Sequence, residues 1–322
     1  MIHPLTLGSL TLPHNLIFGP LAGYSCAPYR VLAEKYSRPA FCCTEMLSAK
    51  HLMSPAYDKP RFLYKSSNEG KLCFQLSGND PKSLATATSR VTDLGADLVD
   101  LNCGCPQPKI RKKGVGSRLL ETPSLLFTLV SSMRKATTVP LSIKIRIDEK
   151  GDYLQAAKAA QDAGADFIVA HGRHWTHGYD VPCQTDKIAT LVEALSIPVI
   201  ANGDAEDMAS LTRLVEKTKC AGVMISRAGL GQPWLIAQLI AEANQLPFTP
   251  PSLLEITQCY LEHVQGLIPL DGEKLAVLQA RKLAKYYFKD IALEKDFFNG
   301  INQLTDYMNL HKHCNEFIAH SD

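Results

Sequence analysis

Polar residues close a succession of short apolar runs in this sequence, and their types are those of a reactive pocket. In chain order they are Gln75, then Asn102, Cys103 and Cys105, Lys144 and Arg146, His171 and Arg173, Asn202 and Asp204, and Ser226 and Arg227. A buried charge is costly unless it is partnered. One such residue is commonly an interior accident, whereas a series carried by consecutive runs points to an active site. The last two groups suggest phosphate binding. Asn202-Gly203-Asp204 and Ser226-Arg227-Ala228-Gly229 offer backbone N–H groups, Gly203 lets the main chain approach an anion, and Arg227 can grip two oxygens at once. Lys144 is open to two chemistries, a Schiff-base nucleophile or a fixed cation beside an anionic cofactor. Cys105 sits in the turn Asn102-Cys103-Gly104-Cys105-Pro106 and is open to three roles: nucleophile, general acid or buried hydrophobe. An ordinary thiol, with a pKa of about 8.5, is mostly protonated at neutral pH and so able to give a proton.

The runs that carry these residues are short and apolar: Leu16–Pro20, Phe41–Met46, Leu72–Gly78, Leu98–Cys103, Leu141–Ile147, Phe167–Gly172, Pro198–Gly203 and Gly222–Arg227. Stretches with helical spacing lie between them, among them Lys82–Leu94, Ser124–Ala136, Tyr153–Ala163 and Met208–Lys217. Alternating strands and helices predict a parallel sheet, and eight strand units favour a closed (β/α)8 barrel over an open sheet. In such a barrel chemistry gathers at the C-terminal ends of the strands, which is where the polar residues fall. The prolines of Pro247-Phe248-Thr249-Pro250-Pro251 mark a linker. Beyond it only helical patterns follow, at Leu253–Leu267, Glu273–Phe288 and Phe297–Met308. The chain thus divides into a barrel over 1–246 and an all-helical unit over 247–322.

Composition narrows the function classes. With 34 Lys and Arg against 32 Asp and Glu the net charge is +2, so any nucleic-acid surface must be local. The ten cysteines form no CxxC pair and no zinc-type spacing, as expected of free thiols in a reducing cytoplasm. No apolar run reaches about 18 residues and no secretory leader is visible, so a cytoplasmic protein without a membrane span is expected.

Read together, the segments GPLAG at Gly19–Gly23, TEM at Thr44–Met46, FQLSG at Phe74–Gly78, DLNCGCPQPKI at Asp100–Ile110, KIR at Lys144–Arg146, HGR at His171–Arg173, ANGD at Ala201–Asp204 and MISRAGLGQPW at Met224–Trp234 resemble the tRNA-dihydrouridine synthases. The resemblance extends into the helical tail through Gln279-Ala280-Arg281-Lys282 and Tyr286-Tyr287. It implies FMN across the top of the barrel, lined by Pro20, Leu21 and Ala22, met at its polar edge by Gln75, Lys144 and His171, and held at its phosphate by Asn202, Gly203, Asp204, Ser226 and Arg227. It implies Cys105 as the proton donor, and Asn102, Arg146, Arg173 and Tyr179 facing the uracil. NADPH would reduce the flavin, hydride would pass to C6 of uracil, and Cys105 would protonate C5. A tRNA partner is implied, gripped by Lys109 in the basic run Lys109–Lys113 and by Arg281, Lys282 and Lys285 in the tail, where Leu275, Leu278 and Leu283 are expected to pack inward. No protein partner is called for, and a monomer is expected. This sequence departs from the family pattern at Ser226, where Gly is common, at Ile147-Asp148-Glu149 in place of Thr-Gly, and at His174-Trp175 in place of Thr. The competing readings are a dehydrogenase of a free pyrimidine, an RNA-binding flavoprotein without catalysis, and a Schiff-base aldolase acting through Lys144.

Overall fold

The computed structural model describes residues 1–148, 151–289, 291 and 295–319. Eight parallel strands close into a barrel: β3 (Leu16–Phe18), β4 (Cys42–Cys43), β6 (Leu72–Ser77), β7 (Leu98–Cys103), β8 (Leu141–Arg146), β9 (Phe167–His171), β10 (Val199–Asn202) and β11 (Gly222–Ile225). Closure comes from β3 pairing with β11 on one side and with β4 on the other. The expected architecture is therefore present, and each expected strand is found close to its position in the sequence.

Two differences from the sequence reading have local causes. The run Phe41–Met46 does not form one strand. After β4 the Thr44 hydroxyl accepts the Gln75 N–H at 3.1 Å, taking the place of a strand carbonyl. Pairing resumes only at β5 (Leu47–Ser48), against the upper half of β6. The second difference is an antiparallel hairpin, β1 (Leu5–Leu7) with β2 (Leu10–Leu12), ahead of the barrel. Its alternating Leu-Thr-Leu triplets around Gly8-Ser9 put Leu5, Leu7 and Leu12 against the interior residues Ile17, Phe41, Phe167 and Met224, closing the barrel floor.

The strand period of two sorts the side chains. Ser142, Lys144 and Arg146 share one face of β8, as Asp100 and Asn102 share one face of β7, and the register sets Asn102 beside Lys144. Apolar residues on the opposite faces pack against a ring of helices, including Pro81–Asp93, Pro123–Lys135, Asp152–Asp162 and Met208–Thr218.

After the linker come four helices, Leu253–Asp271, Glu273–Tyr287, Lys295–Gln303 and Tyr307–Ala319. Ser252 and Glu255 form a reciprocal capping box on the first. The single helix expected over Phe297–Met308 is two, because the Asp306 carboxylate accepts the Asn309 N–H and starts a new helix. The tail shares a core with the barrel: Cys26, Leu32 and Trp234 pack with Tyr260, Val264, Leu283 and Tyr287. No helix among the described residues is long and apolar enough to cross a membrane.

The barrel meets the tail most closely at Gly231, whose φ is +71° and whose missing side chain leaves room for the backbone of Tyr286 and Tyr287. A Cβ there would overlap that backbone. Gly231→Ala should therefore destabilise the protein by about 3 kcal/mol, from overpacking and an unfavourable φ together. A thermal unfolding midpoint equal to that of the wild type would show that the two parts do not need this contact.

Candidate active site

A cavity of about 280 Å³ opens at the C-terminal ends of the strands. It is lined by Pro20, Leu21 and Ala22 after β3, Gln75 on β6, Asn102 and Cys105 at the end of β7, Lys144 and Arg146 on β8, and His171, Arg173 and Tyr179 from β9 and its loop. Asn202, Gly203, Asp204, Ser226 and Arg227 complete the wall. Every barrel residue singled out from the sequence is present except Cys103, which is buried below the cavity wall, and Lys109, which lies exposed on the helix turn Pro108–Arg111 outside the cavity.

The floor is a directed chain of hydrogen bonds. Ser142 Oγ donates to Asp100 Oδ1 at 2.6 Å, and Gln75 Nε2 donates to Asp100 Oδ2 at 2.8 Å. Gln75 Oε1 in turn accepts from Asn102 Nδ2 at 2.8 Å, and Asn102 Oδ1 accepts the Cys105 N–H at 2.9 Å. Asp100 Oδ2 accepts from Gln75 even when the other carboxyl oxygen carries a proton toward the Ser142 hydroxyl, so Asp100 dictates which way both amides face. Asp100 was visible in the sequence only as part of a motif, and nothing in its spacing announced this role.

Cys105 is also held from the other side. Its carbonyl accepts from the Ser117 N–H and from Ser117 Oγ, each at 3.1 Å. Gly116 lies so close that a Cβ there would approach the Cys105 carbonyl oxygen to 2.7 Å. Cys103 is fully buried outside the cavity, and burial holds its thiol far above the ordinary range.

Positive charge dominates the walls. Lys144, Arg146, Arg173 and Arg227 face two carboxylates, Asp204 and Glu206. Burial, with help from Arg146, lowers Lys144 to about 8, while its Nζ donates to Asn202 Oδ1 at 2.8 Å. Burial and the surrounding cations hold His171 neutral. Among the described residues Lys144 and Arg146 have no carboxylate within ion-pair distance. Gly203, at φ +129°, brings the backbone against Cys183 and His171 where a Cβ would not fit. A net-positive slot with an apolar side at Pro20–Ala22 and close backbone at Gly203 fits an anionic, planar cofactor such as FMN.

Two of the residues expected to face the uracil have protein partners in this structure. Arg173 was expected to face a substrate, but its guanidinium is 2% exposed and engaged on every side. It pairs with Asp204 at 2.5 Å and donates to the Val181 and Tyr179 carbonyls. Tyr179 has the Arg227 guanidinium 3.7 Å from its ring centre and the His171 ring stacked beside it. Asp148, one of the departures, accepts the N–H groups of Gly151, Asp152 and Tyr153 and so caps the next helix; Glu149 lies outside the described residues.

A second hollow, between the tail and the rim of the barrel, is lined by Gly23, Arg61, Asp271, Leu275, Leu278, Gln279, Arg281, Lys282, Lys285 and Asn302. Leu275 and Leu278 do not pack inward as expected; they are 54% and 41% exposed, on the same face as Lys282 and Lys285. The helix buries Ala276, Val277, Ala280, Leu283 and Ala284 instead. Lys282 donates to the Gly23 carbonyl at 2.7 Å and lies over the Tyr24 ring, and Arg281 donates to the Leu304 carbonyl. Lys285 is exposed.

Residues 17–321 match the family model described as dihydrouridine synthase. The chain belongs to the dihydrouridine synthase family. It is 31% identical over 306 residues to tRNA-dihydrouridine synthase B of Pseudomonas aeruginosa, covering 93% of this chain and 91% of that one. It is 34% identical over 322 residues to a probable tRNA-dihydrouridine synthase 1 of Synechocystis, covering 95% and 88%. Solved structures share the fold at low identity. The old yellow enzyme homologue of Zymomonas mobilis has a TM-score of 0.56 at 10% identity, covering 79% of this chain and 95% of that one. Histamine dehydrogenase of Rhizobium sp. 4-9 has a TM-score of 0.60 at 13% identity over 81% of this chain, which spans 50% of that longer protein. The dihydrouridine synthase motifs quoted from the sequence thus coincide with the cavity walls.

The site generates a test of its buried carboxyl. Burial pushes Asp100 up to about 7 from an ordinary 3.8, against the opposing pull of Ser142, Gln75 and Lys144. Between those two pH values the folded protein keeps a proton that the unfolded chain has released. Stability from this group is therefore full below about pH 4 and lost as pH rises through about 7. The melting temperature of the wild type minus that of Asp100→Asn should fall from pH 4 to pH 7 and level off above. A difference that stays constant with pH would show that Asp100 is ionised throughout.

Proposed function

We propose that this protein is a flavin-dependent tRNA-dihydrouridine synthase that reduces uridines in tRNA, with NADPH as the source of electrons. The observation that carries the reading is Cys105, in the wall of the cation-rich cavity, whose backbone is fixed by Asn102 at its N–H and by Ser117 at its carbonyl. Asn202, Gly203, Asp204, Ser226 and Arg227 would hold the phosphate of FMN, which would supply the hydride for C6 of uracil. Lys144 places a positive charge where a reduced flavin ring carries negative charge. Gln75 and the neutral His171 would offer hydrogen-bonding groups to the ring, and Pro20–Ala22 would supply its apolar cover.

Cys105 gives its proton to C5, so the C5=C6 double bond gains one hydride and one proton, and the thiolate is reprotonated from water. Asn102 acts through Cys105, keeping the catalytic turn in place. Arg146, whose side chain donates to the His174 carbonyl and lines the cavity, is assigned to the substrate face. Arg173 braces Asp204, and Tyr179 backs Arg227. The uridine leaves its stack to reach the pocket. The helical tail holds the RNA through the hollow bearing Lys285, Leu275 and Leu278, with Arg281 and Lys282 supporting its shape, and the reaction takes place in the barrel.

The purified protein should be yellow from bound FMN; a colourless protein that takes up no added FMN would sink this reading. Cys105→Ala should leave flavin reduction by NADPH intact and slow dihydrouridine formation by about 10²–10⁴-fold. Cys103→Ala should change the rate little, and equal losses from the two would contradict the division of roles. Lys285→Ala should flatten the log–log salt dependence of tRNA affinity by about 0.7–0.9, the signature of one lost phosphate contact. An unaltered slope would remove Lys285 from the RNA surface.

A further inference from the structure

Two loops meet at the rim of the cavity, one following β7 and one following β9. The Arg111 guanidinium of the first lies 3.7 Å from the ring centre of Trp175 in the second. Arg111 is not a loose charge. One of its nitrogens donates to Ser117 Oγ at 2.8 Å and another to Glu121 at 2.7 Å, which fixes the plane on which the indole rests. Through Ser117 the same arginine connects to the Cys105 carbonyl. The second loop is braced from the cavity side, where Arg146 donates to the His174 carbonyl at 2.9 Å. The His174 ring lies 5.3 Å from that of Trp175. The indole is nevertheless 36% exposed. On the turn that carries Arg111, Lys109, Lys112 and Lys113 are exposed and form no ion pair among the described residues.

An exposed aromatic ring backed by a fixed guanidinium, set among unpaired lysines, has the chemistry of a single-stranded nucleic-acid platform. We propose that Trp175, backed by Arg111, stacks on the base next to the extruded uridine, while Lys109, Lys112 and Lys113 carry the flanking phosphates. This rests on the reading of the substrate as tRNA. Extruding a base strips its neighbour of a stacking partner, and the indole replaces that partner at the rim where the neighbour must lie. Because every base has a stacking face, the platform favours strong stackers without demanding one sequence.

The protein contains two tryptophans, and the other, Trp234, is 8% exposed. Tryptophan emission of the full-length protein should therefore be quenched by tRNA in the wild type and not in Trp175→Phe, where only Trp234 emits. Trp175→Ala should weaken tRNA binding in a filter assay by about tenfold, with Trp175→Phe between it and the wild type. Thermal unfolding confirms that each variant is folded. If the wild type binds tRNA without quenching, or Trp175→Ala binds as tightly as the wild type, the platform is overturned while the substrate reading stands. If the wild type binds no tRNA in the filter assay, the substrate reading fails and takes the platform with it.

Discussion

The carboxylate of Asp100 stands inside a barrel of apolar strands, and the site above takes its direction from it. A buried acceptor must be satisfied, and Ser142 and Gln75 satisfy it. Once Gln75 has turned its nitrogen downward, its oxygen is left for Asn102, and the Asn102 oxygen is left for the turn that carries Cys105. Side-chain amides have no intrinsic preference between their two ends, so a fixed acceptor at the base of the chain removes the ambiguity from each in turn. Each amide nitrogen keeps a second hydrogen, and both residues line the cavity. A carbonyl-rich ring, whether flavin or uracil, would meet donors there.

The barrel was legible because its strands are short, apolar and punctuated, and because a ring of polar residues at strand ends has no packing explanation. Gly203 and Arg227, picked out because their chemistry is local, also stand on the cavity wall. What escaped were facts that depend on a partner far away in the chain. Nothing near Arg173 says that Asp204 and two carbonyls will absorb its guanidinium. Helical spacing showed that Leu275, Leu278 and Leu283 are apolar but not which of them faces a core, and Ala276, Val277 and Ala280 filled that place instead. The hairpin over Leu5–Leu12 did carry a signal, the alternation around Gly8-Ser9, but in strands of only three residues.

The loop that lines the apolar side of the cavity is held at Gly23 from two directions. Glu45 accepts the Gly23 N–H at 2.5 Å, and Lys282 from the tail donates to the Gly23 carbonyl at 2.7 Å. Arg61 ties Glu45 to Asp271, which also accepts from Gln279. Burial and the nearby Arg61 lower the pKa of Lys282, while Glu45 opposes them. Glu45 belongs to the TEM segment, and its side chain leaves the barrel at the point where Thr44 interrupts the strand. The break in pairing and the attachment of the tail therefore have one origin.

That double grip on Gly23 means the tail is not an interchangeable module. In a chimera carrying the tail of a relative, whatever side chain stood at position 282 would inherit the task of fixing the loop that lines the apolar side of the cavity. The strength with which the barrel holds its flavin would then vary with the origin of a helix on the far side of the linker.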